Sequence, residues 1–290
     1  MDHIIYREMP PHEALSPFID AYWTVTGDNT GHLPDKVLPD ACVDIILNTG
    51  PGFASEIGAA RMDTGHAYLI GTMTRFKEMI RPPATRLIGI RFKPGGFPFF
   101  YDHHFLKNTA DKAIQFDPGL LPAIPETPSN LAAYLDRFFA DRLTLPSRQT
   151  LTIITTVHQA KGRITVAELA KRSFVTSRQL ERLFSLHLDI SPKELINVTR
   201  YRYALNEIRR TSSRKRLLDI ACEYGYYDHA HLANDIKRYT GSTPSILSDP
   251  TTPSILSDPT TPSPSSPTPP PSSFPDCRIF PNYGPAGTLF

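Results

Sequence analysis

Three clusters in this chain hold side chains whose types and spacing permit chemistry. Asp40, Cys42 and Asp44 alternate, so in an extended strand they share one face. Two carboxylates beside a thiol would suit a metal or an activated nucleophile. No histidine lies within five residues of them, and Asp40 follows Pro39, which favours a turn whose backbone donors the carboxylate satisfies. His103-His104 is the only adjacent histidine pair. Metal ligation there needs partners that the sequence does not place, so a loop pair beside aromatics is the plainer reading. Arg91-Phe92-Lys93-Pro94-Gly95-Gly96 sets two cations beside a flexible turn that could seat an anion, but it lacks the GxxxxGK[ST] pattern of a phosphate-cradling loop. No cluster pairs a general acid with a base, or a nucleophile with its activator. Catalytic residues, metal ligands and cofactors are therefore all expected to be none.

The remaining candidate chemistry is non-covalent and basic. Residues 1–145 carry 13 Lys+Arg against 17 Asp+Glu, a net of −4. Residues 146–243 carry 17 against 9, a net of +8, and residues 244–290 carry one against three, a net of −2. Positive charge is thus concentrated in about a third of the chain, as in a phosphate-binding surface.

The elements that position this charge follow from periodicity. Val166, Leu169 and Ala170 mark a short amphipathic helix over Thr165–Lys171. A tight connection at Ser173-Phe174-Val175 leads to a second helix capped by Thr176. Leu180, Leu183 and Phe184 form its apolar side, and Arg178, Glu181, Arg182 and Ser185 fall opposite. Such a pair fits a helix-turn-helix whose second helix can enter a major groove. A long helix from Pro192 to Arg210 follows, with Leu195, Val198, Tyr201, Ala204, Leu205 and Ile208 at helical spacing. The pattern then repeats. Leu218-Asp219-Ile220-Ala221 gives a short helix, and Gly225 suits a positive φ in the turn. Asp228 caps a helix that turns Leu232 and Ile236 inward and His229, Ala230, Ala233 and Asn234 outward. Cys222 reads as a small buried residue.

The N-terminal half reads as mainly β over about residues 5–100, with strands at Ala21–Thr26, Cys42–Leu47, Ala67–Ile70 and Leu87–Phe92. A helix over Asn130–Leu143 is expected behind a cap at Ser129. From Pro244 onward, 13 prolines in 47 residues and an identical nine-residue repeat (TPSILSDPT at 243–251 and 252–260) predict a disordered tail. The three cysteines, Cys42, Cys222 and Cys277, are too few and too scattered for a disulfide scaffold or a thiolate zinc site. With neither a membrane-spanning run nor a secretory signal pattern, no membrane association and a cytoplasmic location are expected.

Residues 146–244 resemble the tandem helix-turn-helix domain of the AraC/XylS family of bacterial transcription regulators. The resemblance rests on AELAKRSFVTSRQLERLFSLHLDISPKEL and on LLDIACEYGYYDHAHLANDIKRYTGSTP, the latter with the order A-x-x-x-G-Y-x-D-x-x-H and then K-R-[FY]-x-G-x-x-P. LPDACVDIILN (38–48) and LIGIRFKPGG (87–96) are similar to an uncharacterised sensory-like domain found on some such regulators. The resemblance implies an α+β chain. Its parts are a mainly β effector or dimerisation domain (1–145), an all-α tandem helix-turn-helix domain (146–244) and a Pro/Ser/Thr-rich tail (245–290). It implies double-stranded DNA as partner and no enzymatic activity. A small-molecule effector, RNA polymerase and a second copy of the chain are further candidate partners. Carried over by position, the base readers are Arg178, Glu181 and Arg182 in the first unit and His229, Ala230 and Asn234 in the second. Trp23, Arg91 and Lys93 are the candidate effector residues. Asp189 stands where the family commonly has glycine, so its turn needs another solution. A related DNA-repair fusion would need a cysteine cluster on zinc, and residues 1–145 contain only Cys42.

Overall fold

Alternating apolar side chains on short β-branched and aromatic runs build the first half. The computed structural model describes residues 4–27, 33–54, 61–124, 130–144, 149–211 and 215–247. Ten strands are present among them: β1 (Ile4–Met9), β2 (Ile19–Gly27), β3 (Leu33–Val37), β4 (Val43–Asn48), β5 (Phe53–Ala54), β6 (Arg61–Met62), β7 (Ala67–Ile70), β8 (Lys77–Arg81), β9 (Arg86–Phe92) and β10 (Ala113–Phe116). Six form one sheet in the order β1-β2-β9-β4-β7-β10, and β3-β8 and β5-β6 form two-stranded ribbons. Every pairing is antiparallel. The four expected strands are present within two residues at each end. The sheet also extends past the expected limit, to Phe116.

Successive side chains face opposite sides of a strand, so each central strand feeds two cores. Tyr22, Ile45, Leu69, Ile90 and Phe92 point to one side, where they meet Phe97, Phe100, Tyr101 and Phe139. Phe139 belongs to α1 (Leu131–Arg142), whose Leu135 packs in the same core. The α1 cap is Asn130, which accepts from the Ala133 N–H; the expected cap, Ser129, lies outside the described residues. On the other side of the sheet are Trp23, Val25, Ile46, Tyr68, Ile70 and Leu87. Gly89 pairs with Trp23 across the strands, and a Cβ there would lie 1.9 Å from the indole. The ring therefore lies over a position that has to be bare.

The second half is helical: α2 (Gln149–Gln159), α3 (Val166–Arg172), α4 (Ser177–His187), α5 (Pro192–Thr211), α6 (Leu217–Glu223), α7 (His229–Thr240) and α8 (Pro244–Leu247). Leu169, Leu180, Phe184, Leu195, Tyr201, Ala204, Ala221, Leu232 and Ile236 make one core. All six periodic positions expected on α5 are buried in it. Tyr201 of α5 stacks on Tyr239 of α7 with centroids 4.4 Å apart. Cys222 is exposed, contrary to expectation, because α6 turns the adjacent Ile220 and Ala221 inward instead. Beyond Leu247 the proline-rich segment lies outside the described residues, Cys277 with it.

The helical core does not close on itself. Ala41, from the turn before β4, is buried in it, and Leu38 and Ala110 pack against it. The Tyr201 hydroxyl donates to the Pro39 carbonyl at 2.7 Å. The described residues accordingly fall in one compact unit. No helix among the described residues is long and apolar enough to cross a membrane.

Candidate nucleic-acid interface

Each helical unit sets a short helix, a turn and a longer helix against the shared core. Thr176 caps α4 by accepting from the Gln179 N–H, and the Gln179 side chain accepts from the Thr176 N–H at 2.8 Å, a reciprocal box. Asp228 caps α7 by accepting from the His231 N–H at 2.7 Å. These caps satisfy donors that the helix itself leaves open.

Capping and burial together fix which faces remain. In α4, Leu180 and Phe184 are fully buried, whereas Arg178, Glu181, Arg182 and Ser185 are exposed. In α7, Leu232 and Ile236 are buried, and His229, Ala230 and Asn234 are exposed. The structure thus places all six candidate readers on solvent-facing sides of two capped helices. None of the six is held by an ion pair or a side-chain hydrogen bond among the described residues. Lys237 is exposed three residues beyond Asn234 on α7, a cation besides the six candidate readers. Two short exposed faces that offer donors suit base edges, and their flanking cations suit phosphates.

The turns before α4 and α7 are built alike. In the second unit the Tyr226 N–H donates to Ala221 O at 2.9 Å around Gly225, whose φ is +72°. In the first, the Val175 N–H donates to Ala170 O at 3.1 Å around Phe174, whose φ is +55°. The turn after α4 has a different solution. Asp189 takes a φ of +57°, and its carboxylate accepts from the Thr109 and Ala110 N–H groups at 2.8 and 3.0 Å. Thr72 adds a bond from its hydroxyl to Leu188 O at 2.5 Å. At the end of α7, Lys36 donates to Thr240 O at 3.1 Å. Neither tie is visible in the sequence, because both join segments far apart in the chain.

The candidate effector residues divide. Trp23 and Arg91 lie together: the indole N–H donates to Asp44 at 2.7 Å, and the Arg91 guanidinium reaches Glu8 at 3.0 Å, Asp44 at 3.5 Å and Asp40 at 3.7 Å. Arg91 is buried, and burial pushes the Asp44 carboxyl up to about 6 although Arg91 opposes the shift. Lys93 instead donates to the Ser16 carbonyl at 2.7 Å. Asp40 also accepts from the Cys42 N–H at 2.9 Å, the turn role expected of it. Burial and the nearby Asp40 push the Cys42 thiol well up, which disfavours a reactive thiolate. His103 and His104 lie in a 3-10 turn capped by Asp102, and the three offer ligand atoms within 4.8 Å of one another. The Asp102 carboxylate already accepts from the His104 N–H and contacts the His104 ring.

Two sequence profiles match separate parts of the chain. Residues 169–248 match a helix-turn-helix domain, and residues 7–115 match a domain of unknown function. No curated protein matches the chain. Among solved structures, ToxT from Vibrio cholerae aligns over 85% of this chain and 97% of its own, at 10% identity and a TM-score of 0.45. An unsaturated fatty acid-bound ToxT from the same organism aligns over 85% and 94%, at 11% identity and a TM-score of 0.43. An AraC-type regulator from Chromobacterium violaceum aligns over 35% and 94%, at 19% identity and a TM-score of 0.31. The duplicated motif, the two capped helices with solvent-facing sides and the profile match together give this chain a helix-turn-helix domain, preceded by an additional, separately matching N-terminal domain.

Proposed function

We propose that this protein reads a specific duplex sequence through α4 and α7, and that its N-terminal half sets how well it does so. In this reading residues 1–145 are the regulatory part, residues 146–244 the DNA-binding part and residues 245–290 a proline-rich extension. Arg178 and Arg182 each donate two hydrogen bonds to a guanine, and Glu181 accepts from a cytosine amino group. His229, Ala230 and Asn234 read the second groove, with less charge to offer. A small effector bound to the N-terminal half biases the DNA-competent state, and it does so only if its affinity differs between the two states. RNA polymerase and a second copy of the chain are the further partners this reading allows.

One observation carries the proposal. Both reading faces are open to solvent, while the far ends of both helices are tied to the β half through Asp189, Thr72 and Lys36. A change in the β half thereby has a route to both readers. The test is a binding titration of the full chain against duplexes selected from a random pool, at several salt concentrations. A net of +8 in residues 146–243 predicts affinity that falls as salt rises. Equal affinity for unrelated duplexes, or no salt slope, counts against the reading.

A specific observation favours a second reading of the N-terminal half, as scaffold or dimerisation module. Trp23, Arg91 and Lys93 are all engaged within the protein, and Arg91 is already offset by three carboxylates. A thermal-shift screen of metabolites on the full chain separates the two. An effector raises the melting temperature and changes DNA affinity together. Strong self-association with no such ligand supports the scaffold.

A further inference from the structure

Apolar side chains left in water lose the burial that stabilises their neighbours. Among the described residues two large ones stand apart: Phe174 is 96% exposed and Tyr227 is 91% exposed, whereas the next, Ile246, is 53% exposed. Both lie in the turn that leads into a reading helix. Phe174 comes two residues before the Thr176 cap of α4, and Tyr227 comes one residue before the Asp228 cap of α7. The rings stand at neighbouring points of the two turns: by the matching Val175–Ala170 and Tyr226–Ala221 bonds, Phe174 takes the place of Gly225 and Tyr227 the place of Thr176.

Phe174 is also held in the left-handed backbone region, at φ +55°. A bulky residue is disfavoured there by clash between its Cβ and the backbone. The matching turn of the second unit is made by Gly225 at φ +72°, which carries no such penalty. The first unit therefore bears both strain and an exposed ring where a glycine would bear neither. Unfavourable features of this kind mark positions where another demand acts.

Resting on the DNA-binding reading above, we infer that Phe174 and Tyr227 are specificity-determining residues that pack on the apolar edge of the duplex at the rim of each major groove. That edge consists of thymine 5-methyl groups and deoxyribose carbons, the parts of DNA that an aromatic ring without a charge can recognise. Arg172 and Arg178 lie two residues before and four after Phe174 and are both exposed; Arg172 is paired with Glu168, and Arg178 is the cation this surface offers the phosphate backbone. The rings add shape and methyl recognition to helices whose other exposed readers, Ala230 apart, are polar.

The test uses the full chain and a duplex selected by the wild-type chain from a random pool. Phe174→Gly relieves the backbone strain, so its melting temperature rises; its affinity for the selected duplex falls by about tenfold, the order expected for a lost apolar ring contact. Opposite signs for stability and binding are the signature of the inference, since a purely structural role moves both together. Phe174→Ala and Tyr227→Ala, which keep the Cβ, weaken binding in the same direction. Replacing each thymine by uracil separates the two sources of contact. A loss seen for the wild-type chain but not for Phe174→Ala assigns the ring to a methyl group, and equal losses or none assign it to the sugar. Unchanged affinity in Phe174→Gly and Tyr227→Ala overturns the inference while leaving the DNA reading intact. Unchanged affinity with impaired transcription in a reconstituted assay overturns it in favour of a protein partner. Failure of the wild-type chain to select any duplex overturns the DNA reading itself, and this inference falls with it.

Discussion

The Asp189 carboxylate accepts both the Thr109 and the Ala110 N–H groups, at 2.8 and 3.0 Å, while its own backbone stands in the left-handed region at φ +57°. One side chain thus holds the turn after α4 and ties that turn to a loop 80 and 79 residues earlier in the chain. Asp111 braces the same loop, since its carboxylate accepts from the Thr74 and Arg75 N–H groups at 2.7 and 3.1 Å.

Asp189→Gly separates the two jobs of that residue. Glycine suits the backbone better but takes the acceptor from the Ala110 N–H and leaves the Thr109 N–H only Leu106 O at 3.2 Å, and an unpaired buried donor costs about 1–3 kcal/mol. The expected outcome in denaturant unfolding is a less stable chain despite the easier turn. Asp189→Asn, which keeps an acceptor and tolerates the same φ, is expected to lose less.

Base reading by α4 gives a pattern rather than a single value. Arg178→Ala and Arg182→Ala are each expected to lose discrimination at one base pair, by ~1–3 kcal/mol where the contact is bidentate. Titration against duplexes carrying every single-base change shows this directly. A uniform loss across all sequences marks a phosphate contact instead.

The caps are testable by stability and binding together. Thr176→Ala and Asp228→Ala each remove the acceptor for an N–H near the start of a reading helix, worth about 1 kcal/mol. Thermal melts should show both losses, and DNA affinity should fall further because the fraying end is the one that the proposed DNA reading sets against the base edges.

The helical core depends on the loop that precedes β4. The Tyr201 hydroxyl bonds Pro39 O in the buried interior, so Tyr201→Phe leaves a carbonyl unpaired. A loss of ~1–2 kcal/mol in full-chain unfolding is expected. If the change is neutral, Pro39 is not a working part of the helical core.

Two buried groups give stability slopes of opposite sign with pH. Burial, with Arg202 and Lys93 nearby, pushes His158 down to about 4 from an ordinary value of 6.5. Between those values the unfolded chain holds a proton that the folded chain does not, so stability falls as pH drops through this window. Burial pushes Asp44 up to about 6 from 3.8, so there the folded chain holds the extra proton and stability falls as pH rises. Relative to the wild-type chain, His158→Gln should gain at pH ~4.5 over pH ~7, and Asp44→Asn should gain at pH ~7 over pH ~4.5, each by on the order of 2 kcal/mol. Chemical unfolding at the two pH values checks both.

Local rules make much of the helical half legible in the sequence. Cap residues at Thr176 and Asp228, the apolar spacing of Leu180 and Phe184, and the repeat of the whole unit act within a dozen residues, where periodicity and side-chain chemistry decide the outcome. The short strands β1, β3, β5, β6, β8 and β10 are not legible, because a ribbon residue becomes a strand only when a distant partner supplies its hydrogen bonds. The exposure of Cys222 escapes the sequence for a similar reason: a short helix has two sides, and only its neighbours choose which is covered. Two capped helices with a solvent-facing side and an apolar back, the first with exposed arginines, follow from residues three and four apart and so were set by the chain itself. Only the tertiary structure decided that Asp189 would close its turn on Thr109, that Arg91 would be buried among Glu8, Asp40 and Asp44, and that Ala41 would complete the helical core. Those partners are distant in the chain, and no local pattern specifies a contact whose acceptor and donor meet only when the sheet and the helices pack together.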